Sequence, residues 1–360
     1  MTDSTFRRLH LVNVDRADGA TIAACAAVLR RAEDSVCLIG STRGELRARL
    51  LGLISPYRIH PPLSRSDLAG RALLRLVESI GSVDQFVAWG EPERAMLDRL
   101  PRELPVSSVL IGLEPPRRGA RPGDSHLILG DPRDESVWPG ASSTTLAVCD
   151  PDIRGPDWRR SPGRARIRAA LGLSPHLPLV VSIGEPQREI DARRVAWATL
   201  VLQNIGMAVT MAIPRSAMHA RGAIDLAKRT VRWSPMVIVD EPLAILRVAD
   251  VGICSLPEPG AGEFGRVRAT LAHANRFGVP VICAGWARGM GVDEGLLLPT
   301  DRPRDYGTRL ADLVADWRSV PKCAEPEHEP DTPDPLGTTL HAAIEAARPA
   351  HAGSASGVPA

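Results

Sequence analysis

Apolar and polar positions alternate along this chain in blocks, short apolar runs of strand length separated by stretches with helical spacing. The run at 9–14, the polar turn at 15–19, the helical pattern at 22–29 and the apolar run at 36–40 form a βαβ opening. Helices are predicted over 45–53, 68–80 and 92–100, with loop chemistry at 56–62, and strands over 85–90, 106–112, 126–129 and 145–149. These elements make a Rossmann-like first sheet of about six strands. The stretch 150–163 is rich in Pro, Gly and charge and reads as an interdomain linker. A helix led by Arg164 follows, then a strand ending at Gly184. Helix and strand alternate again over 194–203, 208–213, 217–228, 236–239 and 243–248. The expected organisation is α/β, with domains at 1–153 and 154–322. The acidic, Pro-rich 323–360 reads as a strap with a last helix over 336–347 and a disordered tail.

Residues 248–285 interrupt this alternation with chemistry. An apolar run ends in Ser255, and a loop follows that holds Pro257, Pro259, Gly260, Gly262 and Gly265. Leu271 and Ala274 then stand at helical spacing before Gly278-Val279-Pro280-Val281. That order is strand, glycine loop, helix, strand. In a parallel α/β sheet such a loop binds ligands, because backbone NH groups at the helix start face anions and glycine permits close approach. Glu258 and Glu263 flank the glycines; they read either as acceptors for sugar hydroxyls or as solvated caps of the next helix. Asp18 and Gly19, before the first helix, suit a ligand contact or a plain tight turn.

Charge narrows the partners. The 360 residues carry 44 basic and 42 acidic side chains, a formal net charge of +2, so no global field favours nucleic acid. The densest basic cluster, Arg154, Arg159, Arg160, Arg164, Arg166 and Arg168, lacks interleaved aromatics beyond Trp158 and reads as solvated linker. Six cysteines show no paired spacing and lie mostly in apolar runs, which suits reduced thiols and a cytoplasmic setting. No apolar run reaches membrane-spanning length, which leaves peripheral association open. No metal-ligand spacing is present; His126, at a strand start, is a weak candidate base.

The 248–285 stretch resembles the donor-binding segment of family 4 glycosyltransferases. In that family Ala-Asp, an apolar strand, Ser, Glu, Gly-Phe-Gly, a helix and Gly-x-Pro-Val occur in order; here Ala249, Asp250, Ser255, Glu258, Phe264, Gly265, Gly278, Pro280 and Val281 do. The Arg-led helix closing at Leu171-Gly172-Leu173, and the stretch 295–317, are similar to the start and end of that family's donor domain. The resemblance implies a GT-B fold over 9–317, two Rossmann-like domains facing across a cleft. It implies retaining transfer of a sugar from a nucleoside diphosphate sugar to an unknown acceptor, with no further cofactor. It makes Glu258 catalytic and places Gly184, Arg188, Glu263, Phe264, Gly265 and His273 at the donor, and Asp18 and Gly19 in the acceptor-side loop. Four places depart from the pattern. His273 holds the place of the second glutamate. Glu185 and Ile190 replace an Arg and a Lys, for which Arg188, Arg193 or Arg194 are the available substitutes. Trp89 stands where the family carries a histidine. The alternative is therefore a non-catalytic pseudo-glycosyltransferase that binds or scaffolds.

Overall fold

The apolar runs become parallel strands in two separate sheets, each with its own unit of the chain. The computed structural model describes residues 7–30, 34–60, 66–81, 83–90, 95–97, 107–112, 124–129, 144–147, 162–174, 176–184, 190–230, 236–256, 258–260, 263–299, 302–319 and 335–346. The two units are Met1–Val148 with Leu336–Ala360, and Cys149–Pro335.

In the first unit β1 (Arg8–Asn13), β2 (Ser35–Ile39), β3 (Tyr57–Ile59), β4 (Gln85–Ala88), β5 (Ser107–Gly112), β6 (Asp124–Leu129) and β7 (Thr144–Ala147) lie in the order β3-β2-β1-β4-β5-β6-β7. All neighbours pair in parallel. Among the described residues the sheet has seven strands rather than about six. The extra one, β3, is three residues at the edge, too short to show a period and embedded in the stretch read as loop. Helices α1 (Gly19–Leu29), α2 (Thr42–Leu50) and α3 (Ser66–Ile80) connect the strands. Leu9 and Leu11 point from one face of β1 into a core with Cys37, Ile39, Leu73, Val77 and Phe86.

On the other face of β1, Arg8 and His10 are polar and yet buried. Arg8 donates to Gln85 at 2.9 Å and to Glu345 at 2.5 Å, and lies 3.6 Å from Asp34. Glu345 belongs to α10 (Pro335–Ala346), so the C-terminal helix is tied to the first strand. His10 is fully buried; its Nε2 lies 3.1 Å from Asp34, and Trp89 Nε1–H donates to its Nδ1 at 3.1 Å. An indole only donates, so Nδ1 accepts and the proton sits on Nε2, facing Asp34. Burial pushes the His10 ring below its ordinary 6.5, and the Arg8 charge adds to this against the pull of Asp34. Burial alone would raise Asp34, but His10 and Arg8 hold it below the usual carboxylate value.

In the second unit β8 (Leu179–Ser182), β9 (Thr210–Pro214), β10 (Met236–Val239), β11 (Val251–Ile253), β12 (Val281–Ala284) and β13 (Leu297–Leu298) are ordered β10-β9-β8-β11-β12-β13, again parallel. The helices are α4 (Pro162–Ala170), α5 (Ala192–Asn204), α6 (Ala220–Thr230), α7 (Pro242–Ile245), α8 (Phe264–Arg276) and α9 (Pro303–Ser319). Val195 and Leu202 of α5, and Tyr306, Leu310 and Val314 of α9, enclose a core with Val180, Ile213, Ile253 and Ile282. The two helices approach closely at Gly307, where a Cβ would come within 2.8 Å of Val201.

The linker arginines are not all solvated. Arg164 and Arg168 are buried and converge on the Asp250 carboxylate, at 2.7 and 3.1 Å. Further NH groups go to carbonyl oxygens, Arg164 to Val248 at 2.6 Å and Arg168 to Leu177, while Arg168 Nε is buried without an acceptor among the described residues. Asp250 also accepts the Leu179 amide at 2.6 Å, and its own NH donates to Leu179 O at 2.9 Å. Burial draws the Arg168 guanidinium below its ordinary value, opposed by Asp250. Arg166, between the two, is exposed; Arg154, Arg159 and Arg160 lie outside the described residues. Cys25, Cys37, Cys254 and Cys283 are buried thiols, and burial pushes Cys37 up to about 12.

Two outcomes follow from these clusters. Removing one partner of a buried ion cluster leaves charge uncompensated, so Asp250→Asn should cost about 3–5 kcal/mol in denaturant unfolding, while Arg166→Ala on the exposed side should change it by less than about 0.5 kcal/mol. His10 is neutral in the folded state with a lowered pKa, so the unfolded chain binds the extra proton first as pH falls. Stability from this cluster is intact above 6.5 and is lost below it. The melting midpoint should drop between about pH 7.5 and about pH 5, and His10→Asn should flatten that drop; an unchanged slope contradicts the assignment.

Candidate functional site

Each sheet has one place where strand order reverses, and there the loops leaving neighbouring strands diverge and open a crevice at the carboxyl ends. In the second sheet this place lies between β8 and β11. β8 runs into Gly184, which is buried and has φ of 128°, a backbone suited to glycine. Residues 185–189, with Glu185 and Arg188 among them, lie outside the described residues. β11 runs into Cys254 and Ser255 and then the glycine loop. Ser255 Oγ accepts the Asp191 amide at 3.0 Å, so the two diverging loops are tied across the crevice. Tyr306, fully buried on α9, donates to Cys254 O at 3.2 Å and holds the strand end from behind.

Within the loop, Glu258 is exposed. Glu263 stands just before α8 but does not cap it with its side chain. Its Oε2 accepts the Gly260 amide at 3.0 Å and Oε1 lies 3.5 Å from Arg266, so it closes the glycine loop on itself. Phe264 and Gly265 open the helix, Gly265 buried. Arg266, buried in the first turn, is the cation that the described residues bring onto this loop, and spacing to a family pattern did not single it out. His273 is buried midway along α8 with its ring edge-on to Phe277 at 5.2 Å, as a packed side chain.

The places of the missing cation pair have a physical account on one side. Ile190 is fully buried in the core of this unit, so its side chain fills apolar space. Asp191, next in sequence, caps α5 by accepting the Arg193 amide at 3.0 Å; Arg194 lies 3.5 Å from its other oxygen. Arg193 is exposed. His219 joins this group, its Nδ1 3.2 Å from Asp191, with φ of 57°, the one positive φ outside glycine among the described residues. Sequence reasoning missed His219, for which no spacing signal exists.

In the first sheet the reversal lies between β1 and β4. Asp18 and Gly19 lie on the β1 side, where Asp18 caps α1 by accepting the Thr21 amide at 2.7 Å and Gly19 is the first helical residue. Asp15 ties the same loop to Ser41, accepting its amide and its hydroxyl, each at 2.7 Å. Gly44 is packed so closely that a Cβ would come within 2.3 Å of Asp15 Oδ1. On the β4 side Trp89 is buried over His10. His126 lies on β6.

No family model matches the sequence, and none of the curated proteins does. Solved structures match the fold. A glycosyltransferase from Rickettsia africae ESF-5 superposes with a TM-score of 0.55 at 10% identity, over 96% of this chain and 93% of that one. Anabaena Alr3699/HepE in complex with UDP and glucose gives 0.54 at 13%, over 95% of each chain. Sucrose-phosphate synthase from Thermosynechococcus elongatus gives 0.51 at 15%, over 95% of each. The fold is thus that of GT-B glycosyltransferases, two parallel-sheet α/β units; at such identities the likeness carries the fold alone.

Proposed function

We propose that this chain is a glycosyltransferase of the family 4 kind that binds a nucleoside diphosphate sugar at the β8–β11 crevice and passes the sugar, with retention, to an acceptor. One observation carries the reading: the glycine loop read from sequence leaves β11 at the point where the strand order reverses, tied by Ser255 to the loop leaving β8. The UDP and glucose bound by the Anabaena protein of the same fold support it.

In this reading Gly184 and Gly265 let backbone approach the diphosphate, and the positive end of the α8 dipole faces it. Arg266 and Arg188 supply cationic charge as the C1–O bond to the diphosphate breaks. Exposed Glu258 meets the sugar, while Glu263 shapes the loop through Gly260 and Phe264 lines it. His273 supports α8 rather than touching ribose. Asp18 and Gly19 form the acceptor-side loop, held by the α1 cap. A second reading, a protein that binds the donor without turning it over, is favoured by Ile190, a buried core residue where the resemblance calls for a lysine. A missing preorganised charge costs roughly 3–4 kcal/mol of transition-state stabilisation.

Thermal-shift titration with nucleoside diphosphate sugars tests both readings, since a ligand bound to the native state raises the melting temperature. Wild type should bind, Gly265→Val should abolish binding, and Arg266→Gln and Arg188→Ala should weaken it by about tenfold each. Glu258→Gln should lower turnover by about a hundredfold with little change in affinity. Binding without measurable turnover in the wild type selects the second reading; no binding to any nucleotide sugar defeats both.

A further inference from the structure

Helix α2 carries apolar side chains on the wrong side for a surface helix. Its inward residues are Gly44, Glu45 and Ala48, followed by Leu51 at the C-cap. Leu46 and Leu50, one turn apart, face outward at 56% and 64% exposure, and Ile54, just past the helix, is 70% exposed. The outward stripe of such a helix is ordinarily polar. Single exposed leucines need no explanation, but three in nine residues make a patch. The other large exposed apolar side chains among the described residues, Ile167, Leu171, Trp197 and Ile205, all lie in the other unit.

The patch has a basic rim. Residues 42–58 contain Arg43, Arg47, Arg49 and Arg58 against the single acid Glu45, a net charge of +3. Arg43 precedes Leu46 by three positions and Arg49 follows it by three, so both flank the leucine stripe. Glu45 lies on the inward side, 2.7 Å from Arg58 and 3.6 Å from Arg49, and those two guanidinium side chains stay 41% and 56% exposed.

We infer that this face of α2 is a docking surface for an anionic lipid bilayer. Leu46, Leu50 and Ile54 would enter the boundary between headgroups and acyl chains, while Arg43 and Arg49 meet lipid phosphates. Charge selects this occupant: Arg43, Arg49 and Arg58 are exposed while Arg47 turns inward to the Ala17 carbonyl, and in a two-fold contact with a second copy two such basic faces would oppose one another. The association is peripheral, because no helix among the described residues is long and apolar enough to cross a membrane. It does not rest on the donor-site reading.

The test is co-sedimentation of the full chain with phosphatidylcholine vesicles, with and without phosphatidylglycerol, in the absence of nucleotide sugar. Wild type should pellet with the anionic vesicles and be released by salt. Combined Leu46→Ser, Leu50→Ser and Ile54→Ser should weaken binding by about tenfold or more, as should Arg43→Glu with Arg49→Glu, and an unchanged melting temperature would show that these exposed changes leave the fold intact. Wild type that stays in the supernatant, or a triple variant that pellets equally, overturns the inference. So does a dimer in analytical ultracentrifugation that the triple variant dissolves without any vesicle binding, which would give the patch to a second copy.

Discussion

The second unit depends on one carboxylate. Asp250 sits at the amino ends of β8 and β11, exchanges backbone and side-chain hydrogen bonds with Leu179, and neutralises Arg164 and Arg168 of the preceding helix. Three buried charges lose much of their hydration, and hydrogen bonds from the guanidinium groups to backbone oxygens offset part of that loss. The Val248 and Leu177 carbonyls supply acceptors. Pinning the two strands at their amino ends fixes where their carboxyl ends emerge, and with them the crevice that Ser255 and Tyr306 complete. The acid of the Ala-Asp pair and the Arg-led helix, two separate parts of the family resemblance, are thus the two halves of one structural contact.

That contact also shows how sequence reading succeeds and stops. The β/α alternation was legible because parallel strands buried on both faces are continuous apolar runs, and the glycine loop because Gly and Pro punctuate so strongly. An arginine run, by contrast, has the same composition whether it is solvated or paired with an acid some eighty residues away, so Arg164 and Arg168 read as solvated in the sequence. β3 was invisible for its length. His10 and Arg8 stand in an apolar strand where period-two alternation is masked by burial on both faces; only the partners Asp34, Trp89 and Glu345 show why polar side chains are tolerated there. At the candidate site, Ser255, Glu263 and Asp18 stand out in the sequence by type and position, but what their side chains bond to is not legible there: a neighbouring loop, the loop itself, and a helix start.

The departures from the family pattern acquire different meanings in the structure. Ile190, at the place where that family carries a lysine, is a core residue. Trp89 lies over a buried histidine rather than replacing one at a surface. His273 packs on Phe277. What persists is the backbone frame: Gly184, the Ser255 tie and the loop closed by Glu263 before α8. On the proposed function, such a frame would favour binding of a phosphate-bearing donor over its cleavage, because dipoles and backbone approach bind an anion but a departing diphosphate gains charge.

Hydrogen exchange followed by mass spectrometry, with and without UDP-glucose, tests the central claim most directly, since it reports where a ligand orders the chain without requiring turnover. The account predicts new protection in peptides covering 183–192 and 254–268, the two loops of the β8–β11 crevice. Protection confined to other parts of the chain, or none at saturating ligand, would contradict it.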